Sequence, residues 1–272
     1  MGLTMPPSEY RSAHPEAELT GADLVTGLAG ERAAALQAVM FDMDGLLVDS
    51  EPLWFQAEGA VVARLGGSWS SADQHMLVGG SMPSTVKYLL SKGTRTAEPA
   101  AVAGWLTEAM ISLIRSGPLP VLPGAAELVT EVVTAGLPYA LVTSSEPAVM
   151  DAVLARVPVP FPVTVCAADV AHAKPDPEGY LLAAAKLGAD PRRCIALEDS
   201  PNGVAAAEAA GYRTVAVPSV VPVPDRPGRV VLETLAGMTL EKLAAMSGLA
   251  VPQGSASSSG VGILCENRGD HA

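Results

Sequence analysis

Two carboxylates stand close together at the end of an apolar run. The segment A-V-M-F-D-M-D-G, residues 38–45, reaches Asp42 and places Asp44 two positions later. Such a run is typical of a buried strand, and open α/β sheets bind their ligands at the carboxyl ends of strands. A calcium loop that began at Asp42 would need oxygen ligands at positions held by Leu46 and Leu53. We therefore interpret the acidic pair as a site for chemistry, with a plain Asp-Gly turn as the alternative.

Three later strand-like runs also end on groups that could do chemistry. Thr143 ends one in A-L-V-T-S-S, Lys174 follows another in A-K-P-D-P, and Glu198 with Asp199 ends the last in A-L-E-D-S-P-N-G. Each signal alone is weak, because Thr often caps a helix and Lys before Pro is usually a solvated loop residue. Ser200 is expected to cap the next helix. A cap does not explain two adjacent acids at the end of a buried strand.

Together these groups match the needs of phosphoryl transfer through an aspartyl phosphate. Asp42 is the expected nucleophile, and Asp44 the acid and base that protonates the leaving oxygen and then activates water. Lys174 supplies a fixed positive charge for the phosphoryl oxygens. Thr143, Ser144 and nearby backbone amides are the expected hydrogen-bond donors to the same oxygens.

A divalent cation is the remaining requirement, and Mg²⁺ is the predicted cofactor. Its expected oxygen ligands are Asp42, the carbonyl of Asp44, Asp199, and Glu198 either directly or through water. Four carboxylates around an anionic phosphate would repel it, and a divalent ion together with Lys174 reverses the local sign of charge.

Short strands alternate with helices along the chain and position these groups. The alternation is typical of a parallel sheet with helices on both faces. Strands are predicted at 38–42, 138–143, 162–166, 193–198 and 213–217, and helices near 124–135, 147–156, 177–187 and 201–210.

One interval is too long for this alternation. About 100 residues separate Asp42 from Thr143, whereas one βαβ repeat takes roughly 30. The extra segment has helical patterns and returns through the Pro-rich S-G-P-L-P-V-L-P-G, so we predict an inserted helical lid over the strand ends. The predicted division is an N-terminal extension at 1–36, a catalytic core at 37–55 and 119–248, a helical cap at 56–118, and a flexible C-terminal tail at 249–272.

The segments F-D-M-D-G-L-L-V-D-S-E, A-L-V-T-S-S, A-K-P-D-P and A-L-E-D-S-P-N-G closely resemble the four motifs of the haloacid dehalogenase superfamily, in its order and spacing, over about residues 38–246. The resemblance implies an α/β fold with a Rossmann-like parallel sheet, a small helical cap inserted after the first motif, and Mg²⁺ as cofactor. Ala173 departs from the pattern, because relatives often have Gly before the motif Lys.

The subgroup that the chain resembles contains sugar- and polyol-phosphate phosphatases and β-phosphoglucomutases. We expect a phosphatase for a small phosphorylated metabolite, with Trp54, Gly79 and Gly80 as cap residues near the substrate. The mutases carry a His and a nearby Arg after the first motif, where this chain has Trp54 and Gln56. Mutase activity stays an alternative, because basic residues of the cap could still reach the site: Arg64, Lys87 and Arg115.

Two other functions use similar chemistry. A signalling receiver domain also carries Asp, Thr, Lys and an acidic pair, but it holds the pair on its first strand and lacks an acid at the position of Asp44. Dehalogenation uses an Asp nucleophile without a metal, which would leave Asp44, Glu198 and Asp199 without a role.

Composition limits the partners of the chain. The net charge of −12 with 17 Lys and Arg argues against nucleic acid and anionic membrane surfaces as partners. No apolar run reaches the length of a membrane span, and a cytoplasmic monomer or weak homo-oligomer is expected. Cys166, Cys194 and Cys265 are interpreted as reduced thiols.

Overall fold

A parallel β-sheet forms the centre of the protein in the computed structural model, which describes residues 33–252. Its strands are short apolar runs, as expected of a sheet covered on both faces. The runs Ala38–Phe41, Tyr139–Val142 and Cys194–Glu198 are buried at every position. The described strands are β1 (Ala34–Ala35), β2 (Ala38–Phe41), β3 (Tyr139–Val142), β4 (Thr164–Val165), β5 (Cys194–Glu198), β6 (Arg213–Ala216), β7 (Val230–Val231) and β8 (Leu249–Ala250).

The order of the main sheet is β4-β3-β2-β5-β6-β7, with every neighbouring pair parallel. The chain runs from β2 outward to β4 on one side and then from β5 outward to β7 on the other. The strand order therefore reverses between β2 and β5, where open α/β sheets form their ligand-binding crevice. Together with the helices, this sheet confirms the predicted α/β fold class.

The helices divide into a cap group and a core group. The cap helices are α1 (Glu51–Arg64), α2 (Ser71–His75), α3 (Met82–Lys92) and α4 (Pro99–Ser116). The core helices are α5 (Ala125–Thr134), α6 (Pro147–Leu154), α7 (Glu178–Leu187), α8 (Pro201–Ala209) and α9 (Leu240–Met246).

Helix α8 begins as the sequence predicts. The hydroxyl of Ser200 accepts a hydrogen bond from the backbone N–H of Gly203 over 3.1 Å, and Pro201 lies in the first turn. Proline is suited to that position because its missing N–H would have had no helical partner. This hydrogen bond from Gly203 to Ser200 fixes where the chain leaves β5 after its acidic pair.

The cap has its own apolar centre, in which α4 presents a stripe of fully buried side chains to the other cap helices. The stripe consists of Val102, Leu106, Met110 and Ile114, which recur every four residues along one helix face. Leu89 of α3 is also fully buried. The cap is thus a packed helical layer rather than a loop.

The segments that join cap and core lie beside each other. Val48 forms an antiparallel bridge with Val121, and the N–H of Leu122 donates to the carbonyl of Leu47 over 3.0 Å. The outgoing and returning connections therefore support each other. The predicted boundary between residues 55 and 56 needs correction, because it falls inside the continuous helix α1, which begins at Glu51 next to Pro52.

Both ends of the described chain belong to the core, and this corrects the predicted bounds there. Strand β1 pairs with β8, and the side chains of Leu36 and Leu249 are buried. The pairing brings residues assigned to the extension and to the tail into a small parallel sheet. The rest of those segments, including Cys265, lies outside the described residues.

The structure also bears on the predicted strand at 162–166 and on the cysteines. The strand expected at 162–166 pairs only over Thr164–Val165, because Pro162 has no N–H to donate and a 3-10 turn begins at Ala167. Cys166 and Cys194 are buried free thiols. Among residues 33–252, no helix has both the length and the apolarity to cross a membrane.

Candidate active site

The predicted catalytic groups of the core meet where the strand order reverses. Asp42 directly follows β2, and Glu198 is the last residue of β5, the neighbouring strand. Lys174, from the loop before α7, donates to Asp42 Oδ1 over 2.6 Å, to Glu198 Oε1 over 2.5 Å and to the carbonyl of Val142 over 2.9 Å. The three charged side chains are almost fully buried. The ammonium is therefore fixed between two carboxylates.

The charges of this cluster perturb one another strongly. Burial and then the charge of Glu198 raise the pKa of Asp42 well above its ordinary value, against the opposing effect of Lys174. Burial alone would lower the pKa of Lys174, but the carboxylates of Asp42 and Glu198 outweigh it and raise that pKa. Lys174 is thus held in its charged form beside the expected nucleophile.

Three buried carboxylates form a group that fits a divalent cation. One oxygen each from Asp42, Glu198 and Asp199 lie within 4.8 Å of one another. Glu198 Oε1 accepts hydrogen bonds from Lys174 and from Tyr180, the latter over 2.6 Å, whereas its Oε2 is buried without a partner among the described residues. An unsatisfied buried carboxylate oxygen is costly, and carboxylate oxygens are the donors that Mg²⁺ prefers. The residues therefore fit the predicted metal.

Two glycines make room for this acidic group. A Cβ atom on Gly45 would lie 2.2 Å from Asp199 Oδ2, and Gly45 has a positive φ of 76°. A Cβ atom on Gly203 would lie 1.9 Å from Glu198 Oε2. Side chains at these positions would displace the carboxylates, so both glycines are needed for close approach.

Asp44 is held by donors from both the cap side and the core side. Its Oδ1 accepts hydrogen bonds from Ser50 Oγ over 2.6 Å and from Trp54 Nε1 over 3.1 Å. Its Oδ2 accepts from Ser145 Oγ over 2.8 Å and from Thr143 Oγ1 over 3.4 Å. The carboxylate is oriented by helix α1 and by the loop after β3 at the same time.

The loop after β3 carries the predicted phosphate donors. Thr143 Oγ1 accepts a hydrogen bond from the N–H of Ser145 over 3.0 Å. Ser144 Oγ is buried and has no partner among residues 33–252, and it lines the same pocket as Asp42. An unpaired hydroxyl in this position is suited to donate to a phosphate oxygen.

The pocket lies between these core groups and the cap. Trp54, Gly79 and Gly80, the predicted substrate residues, all line it. Trp54 is thus both a wall of the pocket and a donor to Asp44. The other cap residues on the wall are Glu51, Glu58, Gln74, Leu77, Val78, Met82, Thr85 and Leu106.

Gly79 brings the backbone of the cap onto the core. Its φ is +68°, and a Cβ atom there would lie 2.6 Å from Ser200 Oγ. Asn202 Nδ2 donates to the carbonyl oxygen of Gly79 over 3.1 Å. Gly79 thus lies in a turn, which the hydrogen bond from the N–H of Gly80 to the carbonyl of Leu77 closes over 2.8 Å, and that turn brings the cap backbone close to the core.

Several residues of the site were not predicted from the sequence. Ser50 and Ser145 orient Asp44, and Tyr180 holds Glu198. No local pattern in the sequence indicated Tyr180, because its contact with Glu198 joins distant segments. Glu51 and Glu58 could have been predicted from the sequence. They lie three residues before and four residues after Trp54, on the same helix face, so a pocket contact by Trp54 implies pocket contacts by both.

The basic cap residues that could have favoured a mutase do not reach this pocket. Among the described residues, Lys174 is the only basic side chain on its wall. The guanidinium of Arg64 lies instead 3.6 Å from the ring centre of Trp105, in a cation–π contact. A second phosphate in this pocket would find no cation of the cap to neutralise it.

Comparison with known proteins agrees with this geometry. Residues 36–211 match the model of the haloacid dehalogenase-like hydrolase family. The chain is 37% identical over 187 residues to hexitol phosphatase B of Escherichia coli (strain K12), covering 67% of this chain and 83% of that protein.

Two solved structures are also similar. CbbY from Rhodobacter sphaeroides in complex with phosphate matches with a TM-score of 0.69 and 28% identity, over 76% of this chain and 99% of the other. A mutant of that CbbY in complex with xylulose-1,5-bisphosphate matches with a TM-score of 0.69 and 27% identity, over 79% and 100%. The fold and the site define a hydrolase with a Rossmann-like core and a helical cap. The chain belongs to the haloacid dehalogenase-like hydrolase family.

Proposed function

We propose that this protein is a Mg²⁺-dependent phosphatase that hydrolyses the monophosphate of a small sugar or polyol through an aspartyl phosphate on Asp42. The observation that carries the proposal is the buried contact of Lys174 with Asp42 over 2.6 Å, beside the acidic group that Asp42 forms with Glu198 and Asp199. A solvent-exposed turn would need neither the burial nor the fixed ammonium.

The first half-reaction forms a bond between Asp42 and phosphorus and breaks the bond from phosphorus to the ester oxygen. Asp44, on the wall of the same pocket, gives its proton to that leaving oxygen. Lys174, Thr143 and Ser144 bind the phosphoryl oxygens, whose charge they help to neutralise. The alcohol then leaves with the proton of Asp44.

The second half-reaction restores Asp42. Asp44 accepts a proton from a water molecule, which attacks phosphorus and breaks its bond to the Asp42 oxygen. The products are inorganic phosphate and the free carboxylate of Asp42. Because one acid forms the covalent bond and the other moves protons, the two aspartates need the close spacing that the sequence gives them.

The residues that would hold Mg²⁺ are Asp42, Asp199, Glu198 and the carbonyl group of Asp44. The metal, when bound, supplies positive charge for the phosphoryl oxygens and offsets the repulsion among the carboxylates. Glu198 Oε1 already binds Lys174 and Tyr180, so its contribution to the metal falls to Oε2, directly or through water.

The chemistry of the pocket favours a phosphatase over a mutase. A mutase must bind a second phosphate, and the cap side of the wall offers carboxyl, amide and hydroxyl groups from Glu51, Glu58, Gln74 and Thr85. Such groups suit the hydroxyls of an uncharged sugar or polyol body. The relationship to hexitol phosphatase B supports the same substrate class.

A phosphate-release assay tests the proposal. Purified protein with Mg²⁺ is incubated with a panel of sugar and polyol monophosphates, including sorbitol 6-phosphate. We expect release from at least one of them that a chelator abolishes. Failure to release phosphate from every member, by folded protein with Mg²⁺, would refute the proposed function.

A second assay separates phosphatase from mutase. The protein is incubated with β-glucose 1-phosphate, Mg²⁺ and a trace of glucose 1,6-bisphosphate. For a phosphatase, we expect any glucose 6-phosphate that forms to be matched by an equal amount of released phosphate. Rapid formation of glucose 6-phosphate without phosphate release would identify a mutase.

A further inference from the structure

Glu58 is a buried acid on the cap side of the pocket that nothing in the proposed reaction uses. It lies on α1, one helical turn beyond Trp54, and its residue is only 4% exposed. Its Oε2 is buried and has no hydrogen-bond partner in the part of the chain that the structure describes. A buried carboxyl without a partner destabilises a fold, so its presence on a pocket wall needs an explanation.

The orientation of α1 explains why Glu58 faces the ligand. Residues Glu51, Trp54 and Glu58 follow the spacing of one helix face and all line the pocket. Val61 and Val62, one turn further along the same face, are buried. Glu58 therefore lies where the pocket wall meets the apolar packing of the cap, and it lines the substrate space.

The neighbouring acid differs from Glu58 in having a partner. Gln74 Nε2 donates to Glu51 Oε2 over 3.1 Å and to the backbone carbonyl of Glu51 over 2.9 Å. The hydrogen-bonding capacity of Glu51 is partly used within the protein. Glu58 Oε2 thus remains as a polar atom that a ligand can satisfy.

We propose that Glu58 is a specificity-determining residue, whose carboxyl binds one hydroxyl group on the uncharged body of the substrate. The inference rests on the proposed function, because it concerns the part of the substrate that the phosphate-binding groups do not hold. A hydroxyl can both donate to and accept from a carboxyl, whereas a methylene group at the same place leaves Oε2 unsatisfied.

The charge state of Glu58 agrees with this role. Burial, and then the charge of Glu51, raise the pKa of Glu58 to about 8. Near neutral pH the carboxyl is mostly protonated, so it offers an O–H donor as well as acceptor oxygens. A neutral hydroxyl is a suitable partner for it, and a second phosphate group, which needs a cation, is not.

The test combines changes in the protein with changes in the substrate. The substrates are sorbitol 6-phosphate, or the monophosphate that the panel above shows to be hydrolysed fastest, and its analogues that each lack one hydroxyl. The proteins are the parent, Glu58→Met and the control Glu108→Met, in which the replaced acid is exposed on α4. For each pair, kcat/KM is measured with Mg²⁺.

We expect one analogue to lose roughly 10- to 100-fold in kcat/KM with the parent, because it leaves Glu58 unsatisfied. That loss should nearly vanish with Glu58→Met, while the losses for the other analogues stay as in the parent. Glu108→Met should reproduce the whole parent pattern.

A merely structural Glu58 gives a different result. Every analogue would then lose the same factor with Glu58→Met as with the parent, and this outcome would overturn the inference. A Glu58→Met protein that does not fold is recognised by its melting temperature, and Glu58→Leu, which also lacks any hydrogen-bonding group, then replaces it under the same criterion. Absence of hydrolysis by the parent on every monophosphate would instead refute the proposed function.

Discussion

Asn202 donates a hydrogen bond to the carbonyl oxygen of Gly79 over 3.1 Å, and this contact joins the core helix α8 to the cap. Gly79 also lies against Ser200, the residue that caps the same helix. The segment that supplies Glu198 and Asp199 to the site therefore also fixes the cap loop above them. The turn from β5 to α8 thus both follows the acidic pair of the site and holds the cap loop at Gly79.

Replacement of Gly79 by Ala should disturb catalysis more than stability. The added Cβ would meet Ser200 at less than 3 Å and would require a positive φ, which costs about 1 kcal/mol for a residue with a side chain. Gly136→Ala is the matched control, because Gly136 has a similar φ of 67° and nothing within 4 Å. We expect a small loss in melting temperature for both variants, larger for Gly79→Ala, and a loss of kcat/KM for Gly79→Ala alone. Equal kinetics for the two variants would show that the cap does not need this contact.

Removal of the charge of Lys174 should destabilise the folded protein. Lys174→Met leaves Asp42 and Glu198 buried without their cation, and breaking a buried ion pair in this way costs about 3–5 kcal/mol. The control is Lys186→Met, whose partly exposed ammonium lies 3.9 Å from Asp169 and should contribute less than about 1 kcal/mol. Chemical denaturation with a chelator present measures both free energies of unfolding. A loss for Lys174→Met no larger than for the control would contradict the assigned contacts.

Sequence reasoning placed the predicted catalytic carboxylates at one edge of the sheet for a physical reason. Asp42 and the Glu198–Asp199 pair each end a run of apolar residues, and the carboxyl ends of parallel strands meet at one edge of a sheet, whereas Lys174 comes from the loop before α7. The alternation of strands and helices also predicted the fold class. What the local pattern could not provide was the set of contacts among distant segments.

The orientation of Asp44 illustrates that limit. Its partners Ser50 and Ser145 come from the start of α1 and from the loop after β3, and no periodicity connects these positions. Tyr180, which binds Glu198, is likewise a buried helix residue with an ordinary apolar environment in the sequence. Such contacts depend on how elements that are distant in the sequence pack together, which the spacing of residues does not reveal.

Glu58 should make the stability of the protein depend on pH. Its ordinary pKa is 4.5 and its pKa in the fold is about 8. Below the lower value the carboxyl is protonated in both the folded and the unfolded chain. Between the two values the unfolded chain releases a proton that the fold retains, so the stability due to this group is present at low pH and is lost as pH rises to about 8.

Thermal unfolding at several pH values checks this prediction. The advantage in melting temperature of Glu58→Met over the parent should grow as pH rises between those two values and then level off. Glu51, whose pKa is raised to about 7 by burial and then by Asp44, stays in both proteins. Glu108→Met, which removes an exposed acid, serves again as the control for the loss of one carboxyl group. A constant difference for Glu58→Met would show that the carboxyl is not perturbed as described.

Asp44→Asn should slow turnover in a way that depends on the leaving group. General acid–base catalysis contributes roughly 10²- to 10⁴-fold, and an alkyl phosphate needs protonation of its leaving oxygen. An aryl phosphate with an acidic phenol needs it far less, so the same variant should lose a smaller factor on that substrate in the first half-reaction. Steady-state rates on the two esters, with single-turnover formation of the phosphoenzyme, measure the difference. An unchanged rate on the alkyl phosphate would show that Asp44 is not the general acid.

The phosphate released by Asp42→Asn tests the central claim most directly. Asparagine keeps the shape of the side chain and lacks the nucleophilic carboxylate, so release from the best monophosphate should fall by roughly 10⁴-fold or more, with the melting temperature close to that of the parent. Labelled phosphate should remain on the acid-quenched parent and be absent from Asp42→Asn. Phosphate release by Asp42→Asn at near the parent rate would contradict the covalent mechanism.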